Sequence, residues 1–183
     1  ALLLEKAFAK FCSGYSNLDG GIQAWAFQAL TGDVAFALHK KGSGSWERLD
    51  LSYHPPNRKG ACSRLCTKIY YWVFSCCKPY RTENPRDHYG FRSHGKERYN
   101  DEKIWKLLTI YDKRKALISC AKSNKGESKS KTGIVAGHAY SVLHCEQVGK
   151  YRMIRMRNPW GSFEWNGAWS DGDSMWKKHK DVA

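Results

Sequence analysis

The sequence has no long apolar run, few acidic residues and no sign of a secreted or nucleic-acid-binding protein. Its longest tight apolar patch, IYYWVF at residues 69–74, is far shorter than the roughly 20 residues of a membrane-spanning helix. The first residues contain no signal-peptide pattern, and the seven Cys are an odd, irregularly spaced set. We therefore expect reduced thiols and an intracellular, cytoplasmic location.

Acidic residues are outnumbered, because 17 Asp and Glu face 31 Lys and Arg and give a formal net charge of +14. This excess indicates either a basic solvated surface or acidic partners. Since no nucleic-acid-binding motif is present, nucleic acid is not an expected partner. A basic binding module stays open as an alternative, and it predicts heparin or nucleic-acid binding that weakens steeply with salt.

What is present fits one globular domain, or one domain with an insertion, because 183 residues with 42% hydrophobic content can build a core. Leu3, Ala7, Phe8 and Phe11 predict one apolar face of an opening helix. Residues 41–60 look like a loop, because they are rich in Gly and Ser and contain a Pro pair.

A second helix and a buried strand are predicted in the middle of the chain. Asp101 can cap the helix, and a stripe of large side chains at residues 104–111 follows it. KALISCAK at residues 115–122 is typical of a buried strand.

The last third contains two strand-length segments, HAYSVLHCEQ and YRMIRMRN, joined by a short turn. In the second segment, Ile154 and Met156 alternate with Arg residues, as in a half-buried strand. The two segments predict an antiparallel hairpin. Such a hairpin brings His138, at the start of one strand, close to Asn158, at the end of the other.

This pair suits a hydrolytic site that uses a Cys nucleophile. A His next to Gly137 is sterically open and can act as a general base. The Asn158 amide can fix the orientation of the imidazole without adding charge, and Trp160 can keep water from that hydrogen bond. The alternative is a structural His and an ordinary Asn-Pro turn.

These motifs also resemble a known family. GHAYSV, RMRNPWG and EWNGAWSDGD look like the second protease subdomain of the calpains, calcium-dependent cysteine peptidases related in core architecture to papain. ALLLEKAFAKFCSGYSNLDGG, TGDVAF and IWKLLTIYDKRKALISCAK resemble upstream parts of that subdomain, with Asp33 in place of a Gly. The resemblance covers about three-quarters of the chain, all but a predicted Cys- and aromatic-rich insertion at about 61–100.

The resemblance implies a fold and the roles of individual site residues. It implies that residues 1–183 form an α+β fold, namely the half of a papain-like protease core that carries the His and the Asn (subdomain IIb). In that half, an antiparallel, barrel-like β-sheet is flanked by helices. It also implies His138 as the catalytic base, Asn158 as its orienting partner and Trp160 as their shield. Protein substrates follow from the same resemblance.

The catalytic Cys of the family lies in a Gly-Asp-Cys-Trp context in a preceding subdomain, with an upstream Gln for the oxyanion. None of the seven Cys of this chain has that setting. We therefore expect the nucleophile to come from an N-terminal Cys-bearing subdomain of the same protein, and this chain alone to be inactive. A catalytically inactive calpain-like scaffold, in which that Cys is replaced, is the alternative.

The resemblance also implies calcium binding in the loop after the Asn-Pro-Trp motif. Glu164 and Asp171 stand at its acidic positions, and Asp173 could add a ligand. Hard oxygen ligands in a turn suit Ca²⁺. Because the family's further ligands would lie beyond residue 183, we expect a weak or incomplete Ca²⁺ site. The alternative is a set of ordinary acidic turn residues.

Two further alternatives concern the predicted insertion. Its Cys and His residues could bind zinc, although their spacings are loose and include no CxxC pair; these residues are Cys62, Cys66, Cys76, Cys77, His88 and His94. Lipid attachment to the Cys beside IYYWVF would instead place the protein at a membrane surface. An insertion packed by its own aromatic residues is the simpler interpretation.

Overall fold

The computed structural model describes residues 2–18, 20–54, 89–124, 126–180 and 182. They belong to two compact units, residues 1–98 and 99–183, which are described separately. Residues 61–88 of the predicted insertion lie outside the described residues, as do the four Cys of the zinc and lipid hypotheses. The insertion therefore stays a prediction.

The first unit opens with three short helical elements: α1 (Leu2–Phe11), a 3₁₀ helix (Tyr15–Leu18) and α2 (Gln23–Thr31). The predicted opening helix is confirmed, but its predicted face is wrong, because Ala9 and Cys12 are buried while Leu3 is exposed. The reason is the contact of Phe8 with Trp25 of α2, whose ring centroids lie 5.3 Å apart. That contact turns the Phe8–Cys12 side of the helix inward.

Three strands complete this unit: β1 (Phe36–Lys41), β2 (Ser45–Tyr53) and β3 (Tyr89–Tyr99), in the sheet order β1-β2-β3. β1 and β2 pair antiparallel, so the loop prediction for residues 41–60 is wrong over β2. The turn itself consists of Gly42, Ser43 and Gly44, whereas Ser45 and Ser52 lie in the strand. The strand is held by cross-strand contacts such as the Lys41–Glu47 ion pair of 2.8 Å, which composition does not reveal.

The second unit begins with α3 (Asp101–Lys113). The cap is Asn100 rather than the predicted Asp101, because the Asn100 side chain accepts a hydrogen bond of 2.8 Å from the backbone N–H of Lys103. Asp101 instead lies in the first turn, where its negative charge suits the helix dipole. Ile104 and Trp105 are the buried residues of this helix.

The remaining elements of this unit are β4 (Ile118–Ala121), β5 (Ser128–Lys129), β6 (Val135–Ala136), β7 (Ala139–Val148), β8 (Tyr151–Arg157) and α4 (Ser174–Lys178). β4, β7 and β8 form an antiparallel sheet in the order β4-β7-β8, and β5 pairs with β6. The predicted hairpin is therefore confirmed, and so is a strand within residues 115–122. The predicted burial of that strand is wrong, because β4 is at most half-buried and Leu117 is exposed. Together with the helices, these antiparallel sheets confirm the α+β class. No helix in the described ranges is long and apolar enough to span a bilayer.

One carboxylate joins the helix of this unit to its sheet. Asp112 of α3 accepts hydrogen bonds from the backbone N–H of Cys145, at 3.2 Å, and from Nδ1 of His144, at 2.7 Å. Both residues directly follow the irregularity between Val142 and His144 in the β7–β8 pairing. The Cys145 N–H is the main reason why the pKa of Asp112 lies below its ordinary value, and His144 lowers it further.

Replacement of this carboxylate, Asp112→Asn, tests the contact through pH. A folded-state pKa below the unfolded value of about 3.9 means that ionised Asp112 stabilises the fold above that value. The contribution is lost as pH falls through the folded-state pKa. We expect the variant to unfold at lower urea concentration than wild type at pH 7, with the difference shrinking between about pH 5 and pH 2.

The exposed Asp33 offers a matched control, Asp33→Asn, because its side chain lies outside the contact between α3 and the sheet. A difference between Asp112→Asn and wild type that is constant across this pH range would contradict the assignment.

Candidate functional site

His138 lies between β6 and β7, immediately before the first residue of β7. The preceding Gly137 has φ of +76°, and its N–H donates to the carbonyl of Lys122 at 2.8 Å. A Cβ on Gly137 would overlap the backbone carbonyl of Gly126. Only glycine therefore fits this close approach, which brings the segment around Gly126 against His138.

Asn158 is the first residue after β8, so the predicted hairpin places it beside His138. Its Oδ1 lies 2.9 Å from Nε2 of His138. The orientation of the amide is fixed, because Nδ2 donates to the carbonyls of Ser162 and Phe163 at 2.9 and 3.2 Å. Oδ1 is thus the acceptor and Nε2 of His138 carries the hydrogen.

Aromatic rings enclose this hydrogen bond. The ring centroid of Trp160 lies 4.3 Å from that of His138, and Tyr140 meets the imidazole edge-on at 5.1 Å. His138 is 8% exposed and Asn158 is 5% exposed. The predicted shielding position of Trp160 thus agrees with the geometry, and the Trp160 N–H also donates to Oδ1 of Asn158 at 3.1 Å.

Glu127 is the contact that the sequence did not reveal. Its Oε1 lies 3.0 Å from Nδ1 of His138, on the ring nitrogen opposite the one held by Asn158. It belongs to no motif and precedes the base by 11 residues in a charged stretch. The sequence carries no signal for it, because its position depends on how the β5–β6 hairpin folds back.

The loop after Asn158 is held against that hairpin. Asn166 donates from its backbone N–H to the carbonyl of Thr132 at 3.1 Å, and from Nδ2 to the carbonyl of Lys131 at 3.0 Å. The Lys129 ammonium lies 5.6 Å from the ring centroid of Trp160 and 5.0 Å from that of Phe163. These contacts fix the hairpin and the loop as one support for the site.

The three predicted calcium ligands do not form a metal cluster. Within the described ranges, no group of three or more His, Cys, Asp or Glu side chains is arranged to hold a metal ion. Both carboxylate oxygens of Asp173 accept backbone hydrogen bonds, from the N–H of Trp169 at 2.6 Å and of Met175 at 3.3 Å. These bonds hold the pKa of Asp173 below its ordinary value, mainly through the Trp169 N–H. Glu164 and Asp171 are exposed. By themselves, the three carboxylates do not supply the 6 to 8 oxygens of a calcium coordination shell.

Two of the Cys residues lie in the same unit as His138, and neither has the properties of a nucleophile. Burial raises the pKa of both the Cys120 and the Cys145 thiols, so both favour the protonated form. Sγ of Cys120 lies 3.4 Å from Sδ of Met156. The hydrogen-bond partners of the His138 ring are Asn158 and Glu127, not either of these two thiols.

Comparison with known proteins decides the family. Residues 1–182 match the model of the calpain family cysteine proteases. The chain belongs to the calpain family. It is 37% identical over 183 residues to human Calpain-9 and 31% identical over 184 residues to calpain clp-4 of Caenorhabditis elegans, in each case over 96% of this chain and 18% of the relative. It is also 27% identical over 183 residues to the calpain-type cysteine protease DEK1 of Zea mays, over 97% of this chain and 6% of that protein.

Calpain-family membership shows a cysteine-protease family and agrees with the α+β fold. The chain spans less than a fifth of the length of these relatives. The roles of individual residues in this calpain-family chain are therefore argued from its own geometry.

The glycine before the base provides a stability test. Gly137→Ala places a Cβ at positive φ and against the Gly126 carbonyl, whereas Gly149→Ala, at φ of +56°, meets no atom within 4 Å. We expect Gly149→Ala to cost about 1–2 kcal/mol of the free energy of unfolding, from the backbone conformation alone. Gly137→Ala should cost more and also shift the ring NMR signals of His138.

The measurements are urea unfolding and imidazole spectra of both variants. Equal losses of stability in the two variants, with unchanged His138 signals, would show that the Gly126 approach is unimportant.

Proposed function

We propose that this chain carries the general base and orienting residue of a calpain-like, intracellular cysteine endopeptidase. The nucleophile comes from an N-terminal Cys-bearing subdomain of the same protein. The observation that supports this most is the buried Nε2–Oδ1 hydrogen bond of 2.9 Å between His138 and Asn158. It leaves Nδ1 as the nitrogen that exchanges protons with a nucleophile.

The reaction follows from this proton arrangement. Nδ1 of His138 removes the proton of the Cys thiol, and the thiolate attacks the carbonyl carbon of the scissile peptide bond. The tetrahedral intermediate collapses as Nδ1 gives its proton to the leaving amine, which produces a thioester acyl-enzyme. Nδ1 then removes a proton from water, the hydroxide attacks the thioester, and the acid product leaves as the thiol regains its proton.

Asn158 and Trp160 act through His138 in this scheme. Because Oδ1 of Asn158 accepts from Nε2, the ring keeps Nδ1 directed to the reacting side in both protonation states. An uncharged amide suffices, since a thiolate and an imidazolium already form a charge pair near neutral pH. The Trp160 ring restricts access of water to the hydrogen bond.

Protein substrates and the intracellular location are parts of the same proposal. Cys120 and Cys145 carry free thiols, as expected in a reducing compartment. The absence of a nucleic-acid-binding motif favours peptide over nucleic-acid partners, and contact with a membrane surface depends on residues outside the described ranges.

The decisive test uses the full-length protein that contains this chain and a peptide substrate. We expect His138→Ala to lower kcat/KM by about 10²–10⁴-fold, the usual contribution of a general base. Asn158→Ala should lower it less, because the base remains.

A matched control is His144→Ala, since His144 contacts Asp112 at 2.7 Å and has no part in the mechanism. Activity that survives His138→Ala would refute the mechanism. An inactive wild type with a residue other than Cys at the nucleophile position would favour the scaffold alternative.

Calcium binding is a separate part of the proposal. Glu164 and Asp171 are the exposed carboxylates available for a calcium ion, while the oxygens of Asp173 already accept backbone hydrogen bonds. No step of the mechanism above depends on the ion.

Titration of this chain with Ca²⁺, followed by thermal unfolding and calorimetry, tests this part. We expect half-saturation only at about 10⁻³ M or above, as for a weak site. The effect should be absent with Mg²⁺ and in the double variant Glu164→Gln, Asp171→Asn. Tight, submicromolar binding would contradict an incomplete site. If no binding is detected at a Ca²⁺ concentration 20-fold above about 10⁻³ M, the assignment of Glu164 and Asp171 as ligands is wrong.

A further inference from the structure

The catalytic nitrogen of His138 is already in contact with a carboxylate. Asn158 holds Nε2, so Nδ1 is the one ring nitrogen left for chemistry, and Oε1 of Glu127 lies 3.0 Å from it. The Glu127 side chain is 52% exposed, whereas His138 is 8% exposed. A nucleophile approaching Nδ1 therefore meets Glu127 first.

The nature of the Glu127 contact depends on which nitrogens of the His138 ring carry hydrogens. Nε2 carries a hydrogen because Oδ1 of Asn158 is an acceptor, and a carboxylate is an acceptor as well. A hydrogen bond from Nδ1 to the Glu127 carboxylate forms when the ring carries hydrogens on both nitrogens, as an imidazolium does. In that state Glu127 takes the place that a thiolate has in an activated Cys–His pair.

Glu127 is placed there by its surroundings. The carbonyl of the preceding Gly126 accepts from Nδ2 of Asn124 at 2.9 Å and packs against Gly137. Two residues further on, the Lys129 ammonium lies over the rings of Trp160 and Phe163. The backbone on either side of Glu127 is thus fixed, by the contacts of Gly126 before it and of Lys129 after it.

On this basis we propose that Glu127 is a positioning residue which acts through His138: it occupies Nδ1 in the resting site, and the thiolate has to displace it. The inference rests on the proposed function of His138 as the base. The protons balance, because Nδ1 of the imidazolium keeps its hydrogen, the Cys thiol releases its proton to water, and Glu127 leaves as a solvated carboxylate. The same thiolate–imidazolium pair results.

Thiol alkylation in the full-length protein containing this chain tests the competition, because only the thiolate reacts. Glu127→Gln removes the charge at nearly constant shape. We expect alkylation of the nucleophilic Cys by iodoacetamide at neutral pH to become about twofold to fivefold faster, the range that an exposed ion pair supports. Mass spectrometry of the alkylated peptide identifies the Cys.

Three comparisons separate the contact from a general effect of charge. Glu102→Gln is the matched control, because the Glu102 side chain is 51% exposed and pairs with Arg152, away from the base. Anionic iodoacetate should show the same increase as neutral iodoacetamide with Glu127→Gln. Glu127→Asp keeps the charge but shortens the side chain by one methylene, so it should behave like Glu127→Gln.

Each outcome decides the inference. An unchanged or slower rate in Glu127→Gln overturns it, as does an increase confined to iodoacetate or a wild-type rate in Glu127→Asp. His138→Ala distinguishes the two levels: if it leaves the alkylation rate of the Cys unchanged, the proposed function itself fails. If it lowers that rate while Glu127→Gln has no effect, only the role of Glu127 is lost.

Discussion

The site depends on the hydrogen bond between Nε2 of His138 and Oδ1 of Asn158. Backbone carbonyls fix the orientation of the Asn158 amide in this bond. Nδ2 of Asn158 is bound by the carbonyls of Ser162 and Phe163, so the amide can present only its oxygen to the ring. The loop must therefore turn back immediately after the strand, and Phe163 has a positive φ of 60° at that turn. A local backbone conformation thus sets the hydrogen on Nε2, and through it the nitrogen available for chemistry.

The strand register is the second requirement. Ser141 pairs with Arg157, which leaves His138 just before β7 and Asn158 just after β8 at the same end of the hairpin. Since a slip of one residue moves every side chain to the opposite face, the register has to be specified. The irregularity between Val142 and His144 lies within this pairing, and Asp112 binds the N–H of Cys145 directly after it. The helix therefore stabilises the strand at the point where its pairing is irregular.

The sequence was most informative where local pattern and pairing coincide. Two strand-length segments joined by a short turn predicted the hairpin, although Ile154 and Met156, the predicted half-buried residues of β8, are exposed. The hairpin alone placed His138 beside Asn158. β2 was missed because its stability comes from cross-strand contacts, such as the ion pair of Glu47, which neighbouring residue types do not indicate. Glu127 was missed for a related reason: a carboxylate in a charged stretch gains its position only from the close approach of Gly126 and Gly137. Membership of the calpain family was recognisable from motifs, whereas the contacts of Nδ1 required coordinates.

The two ring nitrogens of His138 have partners of different kinds, and this difference organises the site. Asn158 is 5% exposed, uncharged and held by several hydrogen bonds, so its contact persists through proton transfer. Glu127 is charged and half exposed to water, so its ion pair is weak and replaceable. A buried carboxylate in place of Asn158 at Nε2 would instead stabilise the imidazolium and oppose return of the proton. In the proposed mechanism, a neutral fixed partner and a charged exchangeable one together orient His138 without holding it in one protonation state.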